Sequence, residues 1–484
     1  MVNPLHASWI RTATTDLAGI LIDGTSEQRY EIDKQEGFIS EGSYGKVFKG
    51  YDKQHGGRVV AIKLANNSNT SILNLYQRES EILRRHRHNN IVEIYAHHEG
   101  RAGKPVLVLE YIPLTLGNIL DAEDFSVDNS NGSGLERLIY YLQHVGNAAD
   151  FLHQIKVGEN PETKEPIVVV HRDIKPSNIL VSEDSRVVKL SDFGHAGSSG
   201  TASSARGTLY YRAPEGFIDD EGRFYPESDI YSIAVITFEA FAKTTPFTGV
   251  SASPNVILEF KKQDGYVEGK CQEYGIWDEE KDELSPLGKI LVRGMHPDRT
   301  KRPHSCQEFI EELKELDKQK KAYIQREKQK QKAQAEFTRL YRELTGLTDK
   351  TPDGIYGCTS FYDIEEVYSK YSALLTCAQS NNFTEDPRIK QAVNSLRARR
   401  KQDYETLGEK LNELEQGKTA ESIRDVIFNV GAVGHCWGHP SCWLPPLPDE
   451  NFNMADERLS KQQIEDGTYA GHCARGFPKK DKEL

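Results

Sequence analysis

The stretch His171-Arg-Asp-Ile-Lys-Pro-Ser-Asn178 constrains this chain more than any other, because it sets a carboxylate, an ammonium and an amide within one eight-residue run. Asp173 can accept a proton from a hydroxyl, and Lys175 can neutralise charge on a phosphoryl group. Asn178 offers an oxygen of the kind that hard divalent cations take. The preceding Ile167 to Val170 is apolar and β-branched, so it reads as a short buried strand feeding a polar loop. Chemistry-bearing side chains commonly sit on such loops, positioned by the rigid elements on either side.

Other stretches fall into order around this one. Asp192-Phe-Gly194 begins nineteen residues after Asp173, and Ala213-Pro-Glu215 lies beyond it. Upstream, Phe38 to Lys49 reads as two strands joined by a Gly-rich turn, in which Gly42 and Gly45 let backbone N–H groups approach phosphate oxygens where a Cβ would intrude. Val59-Val-Ala-Ile-Lys63 is an apolar strand carrying one lysine, which is costly to bury unless its ammonium meets anions. These five elements in this order (Gly loop, strand lysine, HRD-x-K-x-x-N, DFG, APE) resemble the protein kinase family, over about residues 30 to 316.

The resemblance implies an α+β, bilobal protein-kinase-like fold with a small, mainly β lobe and a larger, mainly α lobe, followed by a mainly α-helical C-terminal extension. It implies ATP and Mg²⁺ as well, with Asp173 orienting and deprotonating the acceptor hydroxyl, Lys175 steadying the transferring phosphoryl, and Asn178 and Asp192 holding the metal. Lys63 would grip the α- and β-phosphates and pair with Glu79 on a helix expected over residues 74 to 86, with Glu81 as the fallback. The nucleotide would lie under Ile39, Ser40, Glu41, Gly42 and Gly45. Val47, Ala61 and Leu180 would enclose the adenine faces, the main chain of Glu110 and Ile112 would meet its edge, and Leu109 would guard the back of the pocket. Ser40 stands at the first glycine position of the G-x-G-x-x-G pattern, a departure that would stiffen the loop or weaken nucleotide binding modestly.

Lys175 and Thr208, the latter in Gly207-Thr-Leu-Tyr-Tyr-Arg-Ala-Pro-Glu215, match the serine/threonine branch of the family, so the expected substrates are proteins bearing Ser or Thr. The stretch His195 to Arg206 is small, polar and hydroxyl-rich, as suits a mobile segment. Ser198, Ser199, Thr201, Ser203 and Ser204 are phosphoacceptor candidates there, and a phosphate on Ser204 would stand in register with Arg172. Asp229 is placed to hold the catalytic-loop backbone and Arg302 to pair with Glu215. Tyr231 and Ala234 stand where the family usually has Trp and Gly.

At 484 residues the chain exceeds one ordinary core. The reading divides it into a flexible N-terminal arm (1–29), the kinase-like domain (30–316), a charged helical extension (317–420) and a Cys/His/Trp-containing end (421–484). Residues 156 to 166 read as a surface insertion. A net charge of −12 argues against a broad nucleic-acid surface. The lack of a long apolar run and of a good signal peptide argues against a membrane, so a cytoplasmic or nuclear home is expected. Seven cysteines, odd in number and scattered, suit reduced thiols.

Residues 318 to 332 hold seven basic residues and one Glu, read first as a solvated helix face and second as a nuclear-targeting or anion-binding stretch. Apolar spacing through 317–420 suggests an antiparallel helical hairpin or coiled coil that folds back or binds another protein. At the end, Cys436, His439 and Cys442 with His472 or Cys473 can close a tetrahedral Zn²⁺ site, the alternative being a Trp-containing packing patch with free thiols. A rival reading of the whole chain is a scaffold that works through its helical tail, against which the intact Lys63, Asp173, Asn178 and Asp192 argue.

Overall fold

A computed structural model of the chain describes residues 4–392 and 394, apart from 22, 24, 123–124, 126–132, 161–163, 165, 200–208, 218–222, 251–252, 351–360 and 384–385. Helix α1 (Pro4–Asp16) is followed by strands β1 (Tyr30–Ile32), β2 (Phe38–Glu41), β3 (Gly45–Asp52) and β4 (Arg58–Ala65). Helix α2 (Thr70–Arg85) then precedes β5 (Ile94–Glu99) and β6 (Pro105–Glu110). The strands form one antiparallel sheet in the order β1-β3-β4-β6-β5, with β2 paired to β3. Helix α2 starts at Thr70, earlier than the sequence suggested, because the Asn69 side chain accepts the Ile72 N–H and caps it.

Side chains alternate across the sheet, so Val60, Ile62 and Leu64 of β4 share one buried face with Val106 and Val108 of β6. Lys63 and Ala61 point to the opposite face. Helix α1 covers the first face with Ile10 and Ala13, and Leu17 and Ile20 continue the cover. His6 and Trp9 lie against the Phe38 ring with centroids 4.4 and 4.7 Å away. Within the N-terminal arm, read as flexible with room for one short helix, that helix is docked on the sheet. An outer sheet face of Phe48, Ile62, Val106 and Val108 would otherwise lie open to water.

The larger part begins with β7 (Leu114–Thr115), α3 (Leu116–Asp121), α4 (Ser133–His153), β8 (Lys156–Glu159) and β9 (Pro166–Val170). It continues with β10 (Ile179–Val181), β11 (Val188–Leu190), β12 (Gly197–Ser198), α5 (Pro226–Ala242), α6 (Pro254–Lys262) and α7 (Tyr266–Glu273). Strands β13 (Trp277–Asp278) and β14 (Glu283–Leu284) and helix α8 (Pro286–Gly294) complete it. Every residue of α5 from Ser228 to Phe238 is buried, so this helix is the axis of the lobe. The stretch read as a surface insertion is exposed over Lys156–Glu159 and forms β8 there, which pairs with β9, while β12 pairs with the other edge of β9. The strand that feeds the His171–Asn178 loop is therefore braced on both sides.

Helices α9 (Cys306–Lys350) and α10 (Phe361–Ser380) follow. The chain divides into compact units of residues 1–321 and 322–484. Within the second, Phe337, Leu340, Leu344, Leu374, Leu375, Ala378 and Ile389 are buried, and Phe337 lies 5.6 Å from Phe383. Cys436, His439, Cys442, His472 and Cys473, and with them the zinc expectation, lie outside the described residues. Among the described residues no helix is long and apolar enough to cross a membrane.

If α1 stabilises the sheet by covering it, Ile10→Ala should cost about 2 kcal/mol, whereas Arg11→Ala on the exposed side should cost under about 0.5 kcal/mol. Denaturant titration of both variants checks this, and equal effects would show that the packing contributes nothing.

Candidate active site

Strand β9 delivers His171 and Arg172 to the N-terminal turn of α5. There the N–H of His171 donates to Asp229 Oδ2 and that of Arg172 to Asp229 Oδ1, each at 2.9 Å. Arg172 has φ +71°, a conformation that costs a non-glycine residue about 1 kcal/mol or more, and the paired N–H bonds hold it. Asp229 has no access to solvent, so its charge needs compensation. His153, at the end of α4, provides it with Nε2 at 2.9 Å from Asp229 Oδ2. Its Nδ1 lies 3.6 Å from Asp150. Burial alone would lower the His153 pKa, but bonds to Asp150 and Asp229 outweigh it and raise it to about 9. Burial pushes Asp229 up, and His153 together with the loop N–H groups overcomes that and lowers it.

Asp150 also accepts the N–H groups of Cys306 and Gln307 at 2.9 Å, capping α9. Ligand atoms of Asp150, His153 and Cys306 lie within 4.8 Å of one another, a grouping of metal-ligand type. The Asp150 carboxylate is already a helix cap and the His153 ring already bridges two carboxylates, so the cluster is accounted for as structure.

Asp173 is almost enclosed, with Lys175 Nζ at 2.8 Å from its Oδ2. Asn178 Nδ2 donates to the Asp173 carbonyl at 2.8 Å and to Oδ2 at 3.0 Å, which leaves the amide oxygen to meet a cation. The Asn178 carbonyl accepts both the N–H and the hydroxyl of Ser191 at 2.9 Å, tying the loop to the residue before Asp192. Asp192 itself has φ +63°. Lys63 Nζ lies 2.7 Å from Glu79 Oε2 and 2.8 Å from Asp192 Oδ1. Burial works against the Lys63 ammonium, yet the Asp192 and Glu79 carboxylates outweigh it and raise its pKa. Burial likewise opposes the Asp192 charge, and Lys63 reverses this, lowering its pKa. The fallback Glu81 is exposed and accepts from Gln77.

On the nucleotide side, Ile39, Ser40, Glu41 and Gly42 are exposed, and Gly42 N–H donates to Gly45 O at 2.8 Å. Val47, Ala61 and Leu180 are half-buried and Leu109 is buried. Glu110 N–H donates to Glu93 O at 2.8 Å, and the Glu110 carboxylate pairs with Lys189 at 2.7 Å; Ile112 follows in the connector, half-buried. Gly45 has a different reason to be glycine from the one expected, since a Cβ there would run into the Tyr76 hydroxyl and the Leu64 carbonyl.

His195, read as the start of a mobile segment, is buried beside Tyr44 with ring centroids 5.5 Å apart. Ser199 is likewise tied down, its hydroxyl accepting the Val168 N–H at 3.0 Å. Thr201, Ser203, Ser204 and Thr208 lie outside the described residues. Arg302, fully buried, meets Glu215 with two bonds of 2.8 and 2.9 Å, as the resemblance implied. The residue that sequence reasoning missed is His153. Its signal was indirect: an aspartate on a helix as apolar as α5 must find a cation, and His153 ends the preceding long helix.

The family "protein kinase domain" matches residues 34–331, more than half of the chain. Human cyclin-dependent kinase-like 2 is 32% identical over 221 residues, covering 44% of this chain and 40% of that protein. The dual specificity protein kinase shkC of Dictyostelium discoideum is 32% identical over 233 residues, 46% of this chain and 42% of its own length. Serine/threonine-protein kinase TIO of Arabidopsis thaliana is 31% identical over 215 residues, 43% of this chain and 14% of its length. The chain thus spans less than half the length of the curated relatives it matches.

The raised pKa of His153 carries a pH dependence. Its stabilisation is complete below the ordinary value of 6.5 and is lost as pH rises through about 9. The full effect is on the order of 3 kcal/mol. Urea titrations between pH 6.5 and 9.5 should show the difference in stability between the parent and His153→Gln shrinking with pH, and a constant difference would refute the charged bridge.

Proposed function

This chain belongs to the protein kinase family, and on that premise we propose that it transfers the γ-phosphoryl group of ATP to Ser or Thr hydroxyls of protein substrates. The observation that carries the proposal is the Asp173 carboxylate set between Lys175 and Asn178, in one cleft with the Lys63–Asp192 pair. Phosphoryl transfer passes through a loose transition state, so the protein's task is to align donor with acceptor and to balance charge. Asp173 orients the acceptor hydroxyl and takes its proton, while Lys175 offsets charge on the transferring group. Lys63, fixed by Glu79, presents its ammonium to the phosphates from the sheet side.

The residues fit a hard cation, since the Asp192 carboxylate and the Asn178 amide oxygen are both oxygen donors at the cleft floor. Mg²⁺ held there would neutralise phosphate charge when bound. Activation by a phosphate on the 198–204 segment belongs to the same reading. Burial and the nearby charge of Arg78 both lower the Arg172 pKa, and an added phosphate would relieve that strain. A cytoplasmic or nuclear setting, and a protein partner for the helices beyond 317, complete the proposal.

The test is transfer from labelled ATP to dephosphorylated casein by the purified chain, with phosphoamino-acid analysis of the product. Asp173→Asn should lower kcat by roughly 10²- to 10⁴-fold, and chelation of Mg²⁺ should abolish transfer. No transfer from a folded and phosphorylated parent would give the weight to the scaffold reading.

A further inference from the structure

Two residues of the large lobe take no part in the chemistry of the cleft: Tyr231, where the family usually has tryptophan, and Lys261 on α6. They meet in the core. Lys261 is 1% exposed, and its Nζ donates to the Tyr210 carbonyl at 2.7 Å and lies 3.3 Å from the Tyr231 hydroxyl. The same nitrogen sits 3.7 Å from the centroid of the Phe247 ring and 4.8 Å from that of Tyr231. Among the described residues no carboxylate lies within ion-pair distance of it. A buried amine without a carboxylate is retained only where carbonyls, hydroxyls and aromatic faces replace water.

What this amine holds is the chain just before Ala213-Pro-Glu215. Tyr211 O accepts from the Ser232 hydroxyl at 2.9 Å, so two consecutive carbonyls are pinned, one from α6 and the next from α5. The Tyr211 hydroxyl donates to Glu239 at 2.7 Å. Leu209 and Tyr210 also pack on a buried apolar cluster of Phe217 with Ile257 and Leu258 of α6. The next residue, Arg212, is buried, and its guanidinium lies 5.9 Å from the centroid of the Phe224 ring, the same ring that Arg172 approaches at 5.4 Å. The pinned backbone therefore ends against the loop that carries Asp173, the residue proposed to receive the acceptor proton.

Tyr231 is chemically matched to this arrangement. An indole N–H can only donate and could not accept from the Lys261 nitrogen, whereas a phenol oxygen can.

We infer that Lys261 is a positioning residue for the acceptor substrate, fixing with Tyr231 the 209–212 backbone that borders Asp173. This rests on the kinase reading, because only a transferase with a second, hydroxyl-bearing substrate has an acceptor to position. The ATP of that reading would meet Lys63 and Asp192 and make no use of α6.

The experiment compares the full chain with Lys261→Met and Tyr231→Phe, measuring kcat and the separate KM values for ATP and dephosphorylated casein, with hydrogen exchange followed over residues 209–213. Lys261→Met should raise the casein KM about fivefold or more and leave the ATP KM within about twofold, with faster exchange at 209–213. Tyr231→Phe removes one oxygen and should move the same quantities in the same direction by less. It decides the matter should Lys261→Met fail to fold. An unchanged casein KM with unchanged exchange overturns the inference, as does a rise of both KM values together with a lower melting point, which marks a merely structural role. A parent that transfers nothing overturns the enzyme reading and the acceptor role with it, whereas an active parent with an indifferent variant overturns the acceptor role alone.

Discussion

The Asp229 carboxylate, sealed from water, is the point to which the rest of the large lobe is tied. Its two oxygens accept the N–H groups of His171 and Arg172, and the second of these residues is held at a φ that nothing local favours. The charge is tolerable only because His153 faces it, and His153 also reaches Asp150. Asp150 in turn caps the first turn of α9. The catalytic loop, the end of α4, the start of α5 and the start of α9 are thus joined through one run of charge and hydrogen bonds. Each member is costly to bury alone, and together they set the loop's conformation.

The same logic governs the cleft. Lys63 projects from the inner face of β4 into a space where its ammonium would be destabilised, and two carboxylates from different elements converge on it. Glu79 comes from α2 and Asp192 from a backbone in the left-handed region, so the pairing fixes helix and turn at once. Glu215 and Arg302 repeat the device at the far end of the segment between Asp192 and α5, with both side chains buried and two bonds between them. Positions on the catalytic side of the lobe are therefore specified by charge as well as by packing. Packing alone tolerates exchange of similar apolar groups, but a buried ion accepts few alternatives.

What was legible in the sequence follows from this division. Lys63, Asp173, Asn178, Asp192 and Glu215 could be placed because they stand in ordered motifs that resemble the protein kinase family, and the same resemblance implied the pairing of Lys63 with Glu79. The docking of helix α1 was not legible, since its apolar residues Trp9, Ile10 and Ala13 are few and interspersed with threonines. Only the outer face of the sheet shows why they bury. The strand within the 156–166 surface stretch was not legible for a similar reason: Lys156-Val-Gly-Glu159 is exposed throughout and owes its strand form to β9 beside it. His195 looked like part of a mobile tract because its neighbours are small and polar, yet its ring is buried against Tyr44. In each case the deciding contact lies far away in sequence, where periodicity carries no information.

The departures from the family pattern have neighbours that accommodate them. Ala234 adds a methyl where glycine is usual, in the most tightly buried stretch of α5. On the facing helix α8 stands Gly294, and a Cβ there would come within 2.7 Å of the Ala234 Cβ and of the Phe309 ring. The Ala234 methyl fills space that a side chain at position 294 would need, as close packing demands. Tyr231 exchanges an indole for a phenol, and its oxygen finds an amine that an indole could not serve. Both adjustments lie on α5, within a few residues of Asp229. The helix that carries Asp229 tolerates a side chain only where its neighbours leave room or a partner for it. Unmatched change at these positions would move Asp229, and with it the backbone of His171 and Arg172.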